Sequence, residues 1–351
     1  MKPDVHPPTI PPRAILVICL RYLGDTLLLR PALRALRTAF PGARIDALVT
    51  KGTACALDDC PDVSRVLEWP RRAWLREIAL LATLSRRRYD WVVDFTGNDR
   101  SALVALLSRA PFRTAYERPK LAQWSLRRAA YHFRPAHRKA KPHAVIQRLE
   151  LLEACGVASC GVGCGLLPRP EALAWADTVL RGLPSPRLHV HVTSRDMQKA
   201  IPSDVVRAVL EKTIRSGGGI VVTCGPAEVE KNHIVKCLAG LPSQMIRSFD
   251  NLTWHQLVAL IARCDKSWGS DTAPAHIASA LEKPLLIHFG PSRADHWHPL
   301  HAAGKFDVQA CACLSKKAGT KCPAGRPGAC LERLDARTVL ETLGELDPKR
   351  E

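Results

Sequence analysis

The residues best able to do chemistry lie in four short polar runs, each directly after an apolar one. The first is Leu20-Arg21-Tyr22-Leu23-Gly24-Asp25-Thr26, following Ala14–Leu20. In an open parallel sheet ligands bind beyond the carboxyl ends of the strands. Asp25 falls there, and Gly24 lets backbone approach closely. A carboxylate in that place can act as a general base; it can also cap the next helix, and one residue can do both. The second run is His191-Val192-Thr193-Ser194-Arg195, with Lys199 ahead of the helix pattern from Ser203. Hydroxyls, an ammonium group and free amides at a helix start make an anion cradle, although Ser and Thr also crowd strand ends as turn formers. The third is Cys224-Gly225-Pro226-Ala227-Glu228, whose carboxylate can accept from ribose hydroxyls or sit solvated in a helix first turn. The fourth is Gly269-Ser270-Asp271-Thr272-Ala273-Pro274-Ala275-His276. Here Asp271 and Thr272 can cap a helix, the amides from Thr272 to Ala275 would face a phosphate, and His276 reaches the same anion from one turn in. A further polar turn, Phe289-Gly290-Pro291-Ser292, follows on the same sheet edge.

Positioning these runs requires alternating strands and helices. The apolar pattern predicts strands at Ala14–Leu20, Arg44–Val49, Val63–Glu68 and Asp90–Phe95, with helices at Thr26–Phe40, Arg72–Arg86 and Asp99–Ser108. A Gly- and Pro-rich stretch, Gly156–Pro186, then interrupts the pattern, with room for one short helix near Glu171–Leu180. A second series follows, with strands at Leu188–Val192, Gly219–Thr223, Met245–Phe249, Lys266–Trp268 and Pro284–Phe289. Its helices are predicted at Ser203–Arg215, Trp254–Cys264 and Pro274–Leu281. Strands alternating with helices imply parallel sheets covered on both faces. The expectation is an α/β chain of two Rossmann-like domains, residues 1–165 and 186–351, joined by a linker at 166–185, with ligands in a cleft between them.

Bulk properties narrow the class. The chain has 351 residues, 46% of them hydrophobic, enough for two cores. No apolar run reaches the roughly 18–20 residues of a membrane span, and the Pro-rich start has no signal-peptide core, so a cytoplasmic protein is expected. Several of its 13 cysteines, such as Cys19, Cys224 and Cys264, sit inside apolar runs and then read as small buried hydrophobes. The net charge is +18, and residues 1–165 hold 27 Lys and Arg against 14 Asp and Glu. A basic half suits a polyanionic partner: nucleic acid, an anionic membrane face or a phosphorylated glycolipid. The chain lacks the aromatic-interleaved basic motifs and zinc fingers that nucleic-acid binders tend to show, so no nucleic-acid partner is expected, and a basic nucleic-acid-binding protein stands as an alternative on charge alone. It also lacks the Gly-x-Gly-x-x-Gly turn of a nicotinamide dehydrogenase.

Taken in order, the four runs resemble those of glycosyltransferase family 9, the ADP-heptose–lipopolysaccharide heptosyltransferases. The most specific stretch is Trp268 to Pro299, with Asp-Thr-Ala-Pro-Ala-His, Glu-Lys-Pro, Phe-Gly-Pro-Ser and a closing Trp297-His298-Pro299. The opening from Ile15 to Pro41, with its Leu-Gly-Asp, and Pro142-His143 before a helix ending Ala154-Cys155-Gly156-Val157 add to it. The Thr-Ser-Arg run and the Cys-Gly-Pro-Ala-Glu turn place it nearest the heptosyltransferase III type. The resemblance implies a GT-B fold and an inverting transfer from ADP-heptose to a lipid A–Kdo–heptose core acceptor. No cofactor is required for catalysis, and the enzyme would work as a peripheral protein at the inner-membrane surface.

By the same resemblance Asp25 is the general base. Thr193, Ser194 and Lys199 hold the donor phosphates, Glu228 binds ribose, and Leu252 lies near the adenine. Asp271, Thr272, Ala273 and His276 form the loop around the diphosphate-sugar. Ala273 stands where the family usually has Gly, which narrows the loop's backbone freedom. Arg21, Arg127 and Arg128 are candidate acceptor contacts, together with the basic stretches Arg118–Lys120 and Arg134–Lys141. Cys311, Cys313, Cys322 and Cys330 make a possible four-thiolate iron or zinc site, as in a related protein-heptosylating subfamily, or else thiols that stabilise a loop. That subfamily supplies the alternative acceptor, a protein such as an autotransporter.

Overall fold

The computed structural model describes residues 10–70, 73–117, 126–136, 143–301, 304–308 and 328–346. The chain divides into two compact units, Met1–Gly165 and Leu166–Glu351.

The first unit runs β1 (Ala14–Cys19), α1 (Leu23–Leu27), α2 (Arg30–Ala39), β2 (Arg44–Thr50), β3 (Arg65–Trp69), α3 (Trp74–Arg86), β4 (Trp91–Asp94), α4 (Asp99–Leu107), β5 (Phe112–Ala115), α5 (Leu126–Ala129) and α6 (Ala144–Ala154). Its strands are parallel in the order β3-β2-β1-β4-β5. All six residues of β1 are buried, which is why its sequence, AILVIC, is apolar throughout rather than alternating. The single helix expected over Thr26–Phe40 is two. Pro31, at the start of α2, has no N–H for the preceding turn, so the helix stops at Leu27 and restarts at Arg30. Strand β5 has no clear sequence signal: it is a four-residue edge strand whose Arg113 turns back to the Ala110 and Ala130 carbonyls, at 2.6 and 2.7 Å.

The second unit runs α7 (Pro170–Val179), β6 (Arg187–His191), α8 (Ser203–Arg215), β7 (Gly219–Thr223), α9 (Glu228–Leu238), β8 (Ile246–Phe249), α10 (Trp254–Ala262), β9 (Lys266–Ser270), α11 (Ala273–Ala280), β10 (Leu285–Phe289), α12 (Ala294–Trp297), β11 (Gly304–Val308) and α13 (Ala336–Gly344). The parallel sheet has the order β11-β10-β9-β6-β7-β8. Within the expected linker 166–185, α7 packs against α10, sharing a core of Ala172, Ala176, Leu180, Ala259 and Leu260. Those contacts make it part of the second unit. The fold class is therefore α/β with two Rossmann-like units.

Two features fix the centre of the second sheet. Gly269 on β9 pairs with His191 on β6, and a Cβ at Gly269 would come within 2.1 Å of the His191 carbonyl oxygen. Beside it runs a polar chain. His189 Nδ1 lies 2.8 Å from Ser267 Oγ, its Nε2 2.9 Å from Thr223 Oγ1, and His191 Nδ1 2.9 Å from the same hydroxyl. Burial lowers His189 to about 3 and His191 to about 4, so both are neutral and bind β6 to its neighbours as hydrogen-bonding groups. Buried thiols behave as hydrophobes: burial lifts Cys19 and Cys264 to about 12. Cys224 is half-buried. Among the described residues no helix is long and apolar enough to cross a membrane.

Candidate active site

In each unit the strand order reverses at one place, between β1 and β4 and between β6 and β9. A parallel sheet opens a ligand crevice at that point. Asp25 follows β1, while Thr193 and Asp271 follow β6 and β9, so the sequence-predicted residues converge on the two switch points.

Asp25 is not a helix N-cap. It is the third residue of α1, 9% exposed, and its Oδ2 accepts from the Tyr22 N–H at 3.4 Å. The capping contribution therefore runs backwards, as in the acidic half of a capping box. Arg148 on α6 is the partner the sequence did not reveal. It is 5% exposed, its Nη1 donates to the Asp25 carbonyl at 2.8 Å, and its Nη2 stands 3.5 Å from Asp25 Oδ1. The buried guanidinium thus holds the Asp25 backbone and sets a positive charge beside its side chain. The turn leading to Asp25 is fixed from β4. Asp94, raised above the usual carboxylate range by burial, accepts from the Thr96 N–H at 2.7 Å and from the Tyr131 hydroxyl. Thr96 Oγ1 in turn accepts from the Leu20 N–H at 2.7 Å, and the Thr96 carbonyl accepts from Arg21 Nη2 at 3.3 Å. Behind Asp25, the buried hydroxyls of Thr26 and Thr53 meet at 3.1 Å.

Among the acceptor candidates, Arg21 is exposed. Arg127 is held by Asp99 through two bonds of 2.5 and 2.9 Å, so a phosphate would have to compete with that carboxylate. Arg128 is half-buried in α5. Part of the basic excess is internal: buried Arg30 donates to the Cys164, Gly165 and Ala56 carbonyls at 2.9, 3.2 and 3.4 Å. Arg118–Lys120 and residues 137–141 lie outside the described residues.

In the second unit Asp271 organises the site. Its Oδ2 accepts from Lys199 Nζ at 3.0 Å, its carbonyl lies 3.4 Å from the same ammonium, and its Oδ1 stands 3.6 Å from His276 Nε2. An ammonium has three donors, so Lys199 keeps one beyond Asp271. Three buried hydroxyls gather on this end of the sheet without a hydrogen-bond partner among the described residues: Thr193, Ser270 and Ser292. Native structures rarely leave such groups unpaired, and here they follow β6, end β9 and follow β10. Ser270 and Ser292 stood inside recognised motifs but carried no role of their own. Neither Asp271 nor Thr272 caps α11 with its side chain; Thr272 Oγ1 donates instead to the Ser270 carbonyl at 3.2 Å. Pro274 has no N–H, and the Ala275 amide donates to the Thr272 carbonyl at 3.1 Å. The anion cradle at this helix start therefore narrows to the Thr272 and Ala273 amides. His276 stacks edge-on against Trp297 at 6.0 Å.

The remaining donor candidates sit further out. Ser194 Oγ accepts from the Asp196 N–H at 3.2 Å, shaping the loop to Lys199. Glu228 is exposed in the first turn of α9. The buried carboxylate of that turn is Glu230, which accepts from the Gly225 N–H at 3.2 Å and would collide with any Cβ there. Leu252 is half-buried and packs on the α7–α10 core beside Trp175 and Phe249. Of the C-terminal cysteines, Cys311, Cys313 and Cys322 lie outside the described residues. Cys330 is buried in the core of the second unit with Leu331 and Leu334. No group of three metal-ligating side chains occurs among the described residues.

Comparison with known proteins is consistent with this geometry. The chain is 25% identical over 297 residues to lipopolysaccharide heptosyltransferase 3 of Escherichia coli K12, covering 80% of this chain and 83% of that one. Its fold matches a glycosyltransferase family 9 protein of Veillonella parvula at a TM-score of 0.77 and 20% identity, covering 95% of this chain and 97% of that one. It also matches ADP-heptose lipopolysaccharide heptosyltransferase II of E. coli at a TM-score of 0.75 and 22% identity, over 95% and 98% of the two chains. The model for glycosyltransferase family 9 (heptosyltransferase) matches residues 78–322, well over half of the sequence, and the chain belongs to that family.

Proposed function

We propose that this glycosyltransferase moves a heptose from ADP-heptose to the inner core of a lipopolysaccharide, with inversion at the anomeric carbon. The observation that carries the reading is the Lys199–Asp271–His276 constellation at the switch point of the second sheet, with unpaired hydroxyls on the same edge. It offers cationic and hydroxyl donors where a diphosphate leaving group gathers charge. Membership of family 9 and similarity to enzymes named for lipopolysaccharide support the donor and acceptor.

The steps follow from the side chains. Asp25 takes the proton of an acceptor hydroxyl, and that oxygen bonds to the anomeric carbon as the bond from this carbon to the β-phosphate oxygen breaks. ADP leaves with its new charge facing Lys199 and the Thr272 and Ala273 amides. Asp271 keeps Lys199 in place between turnovers, so little reorganisation is needed when the diphosphate arrives. The base, the cations and the amides all come from the chain itself.

Titration calorimetry with nucleotides tests the donor half. ADP should bind more tightly than UDP or GDP. Equal or tighter binding of UDP would exclude an ADP-sugar donor.

A further inference from the structure

The helices on one side of the first unit's sheet present an outer surface that neither the fold nor the transfer reaction explains. Helix α3 packs against α4, and α4 against α5. Their inner sides supply core: Leu80, Leu81 and Leu84 of α3 and Ala102 and Ala105 of α4 pack under the strands. The outer sides are also apolar. Trp74, Leu75 and Ile78 of α3 are 69%, 63% and 56% exposed, and Leu103, Leu107 and Leu126 of the next two helices are 38–43% exposed. Apart from these, the exposed large hydrophobic side chains among the described residues of this unit are Ile10 and Tyr22. A surface helix normally keeps one apolar stripe for the core and a polar face for water. With three-residue and four-residue spacing, Trp74, Leu75 and Ile78 form a second stripe on α3.

The charge along α3 is mostly basic, while α4 opens with an exposed Asp99 that pairs with Arg127 of α5. Residues 71–88 hold six arginines and one glutamate. Arg76, Arg86 and Arg88 are exposed, as are Arg100 and Arg109 at the two ends of α4. Arg87 is spent on buried Asp46 at 2.8 Å, and Arg100 lies over the Trp69 ring at 5.7 Å. A Trp, Leu and Ile stripe edged by arginines is the pattern of a helix that lies in a membrane interface. The apolar stripe sinks to the acyl boundary while the guanidinium groups meet anionic headgroups. A docking site for a protein partner or a second copy would not require such a basic rim.

We propose that the outer surface of α3–α5, centred on Trp74, Leu75 and Ile78, docks this protein on an anionic lipid bilayer. The inference is independent of the proposed reaction, because it concerns bare lipid without saccharide or nucleotide.

Co-sedimentation of the full chain with vesicles tests it. Vesicles of phosphatidylethanolamine and phosphatidylglycerol should pellet the protein at low salt, while pure phosphatidylcholine vesicles should not. Binding should fall as salt screens the arginines. L75Q/I78Q should weaken binding by at least about tenfold, since two apolar side chains no longer leave water. R76Q/R86Q should weaken it too and flatten the salt dependence. Both variants change exposed side chains, so their melting temperature and ADP affinity should match wild type and serve as the folding control. The proposal fails if the full chain ignores anionic vesicles, or if L75Q/I78Q binds them as well as wild type. It also fails if the chain self-associates through this surface, shown by a dimer that L75Q/I78Q abolishes, without vesicle binding.

Discussion

Asp25→Asn should lower the turnover number by about 10²–10⁴, the usual contribution of a general base. The amide keeps an oxygen that can accept from the Tyr22 N–H, so the turn is retained. It cannot take a proton from the acceptor. The structure adds a stability term. Arg148 is buried and loses the carboxylate at 3.5 Å, but keeps its 2.8 Å bond to the residue 25 carbonyl. A weakened buried contact of this kind costs about 1–3 kcal/mol. The melting temperature of the unit should therefore fall by a few degrees, at about 2–4 °C per kcal/mol. ADP affinity should not change, because the residues proposed to hold the nucleotide belong to the second unit. Steady-state kinetics, calorimetric melting and ADP titration on one preparation separate these effects. A turnover number within about threefold of wild type would remove Asp25 from the base role.

Lys199→Met should weaken ADP binding by about 10–100-fold, the value of one or two hydrogen bonds to charged groups. Turnover should fall further than binding, because the charge on the departing ADP is greater in the transition state than in the bound donor. Lys199→Arg keeps the charge and should recover part of the binding. The fold should tolerate both changes, since the Lys199 side chain is 26% exposed, but Met removes the ammonium from Asp271, 7% exposed, and leaves His276 Nε2 at 3.6 Å from its carboxylate. Titration with ADP and single-turnover transfer measure the two effects separately. Unchanged ADP affinity in the Met variant would show that Lys199 serves only to hold Asp271.

The strands and the polar runs at their ends were legible because burial on both faces writes a continuous apolar signal, as in β1 and β7. Asp25, Lys199, Asp271 and His276 were legible for the same reason, since each follows such a strand in a recognisable run. Arg148 was not. It lies 123 residues from Asp25, inside a helix where an arginine ordinarily reads as solvated surface. Asp94 was hidden for a related reason: a carboxylate at a strand end gives no sign that Tyr131 and the Thr96 amide will bury it. Glu228 and Glu230 are two residues apart on one helix, and only the fold shows that the second is the buried one. For Arg127, a candidate acceptor contact, the sequence does not show that Asp99 will pair with it through two hydrogen bonds. Elements with weak patterns, such as edge strands β5 and β11, depend on a neighbour strand for their pairing rather than on their own residues.

The most direct test of the central claim is mass spectrometry of lipopolysaccharide from a strain lacking this gene. The account predicts a core short of one heptose, restored by the wild-type gene and not by Asp25→Asn. A core with its full heptose complement in the deletion strain would contradict it.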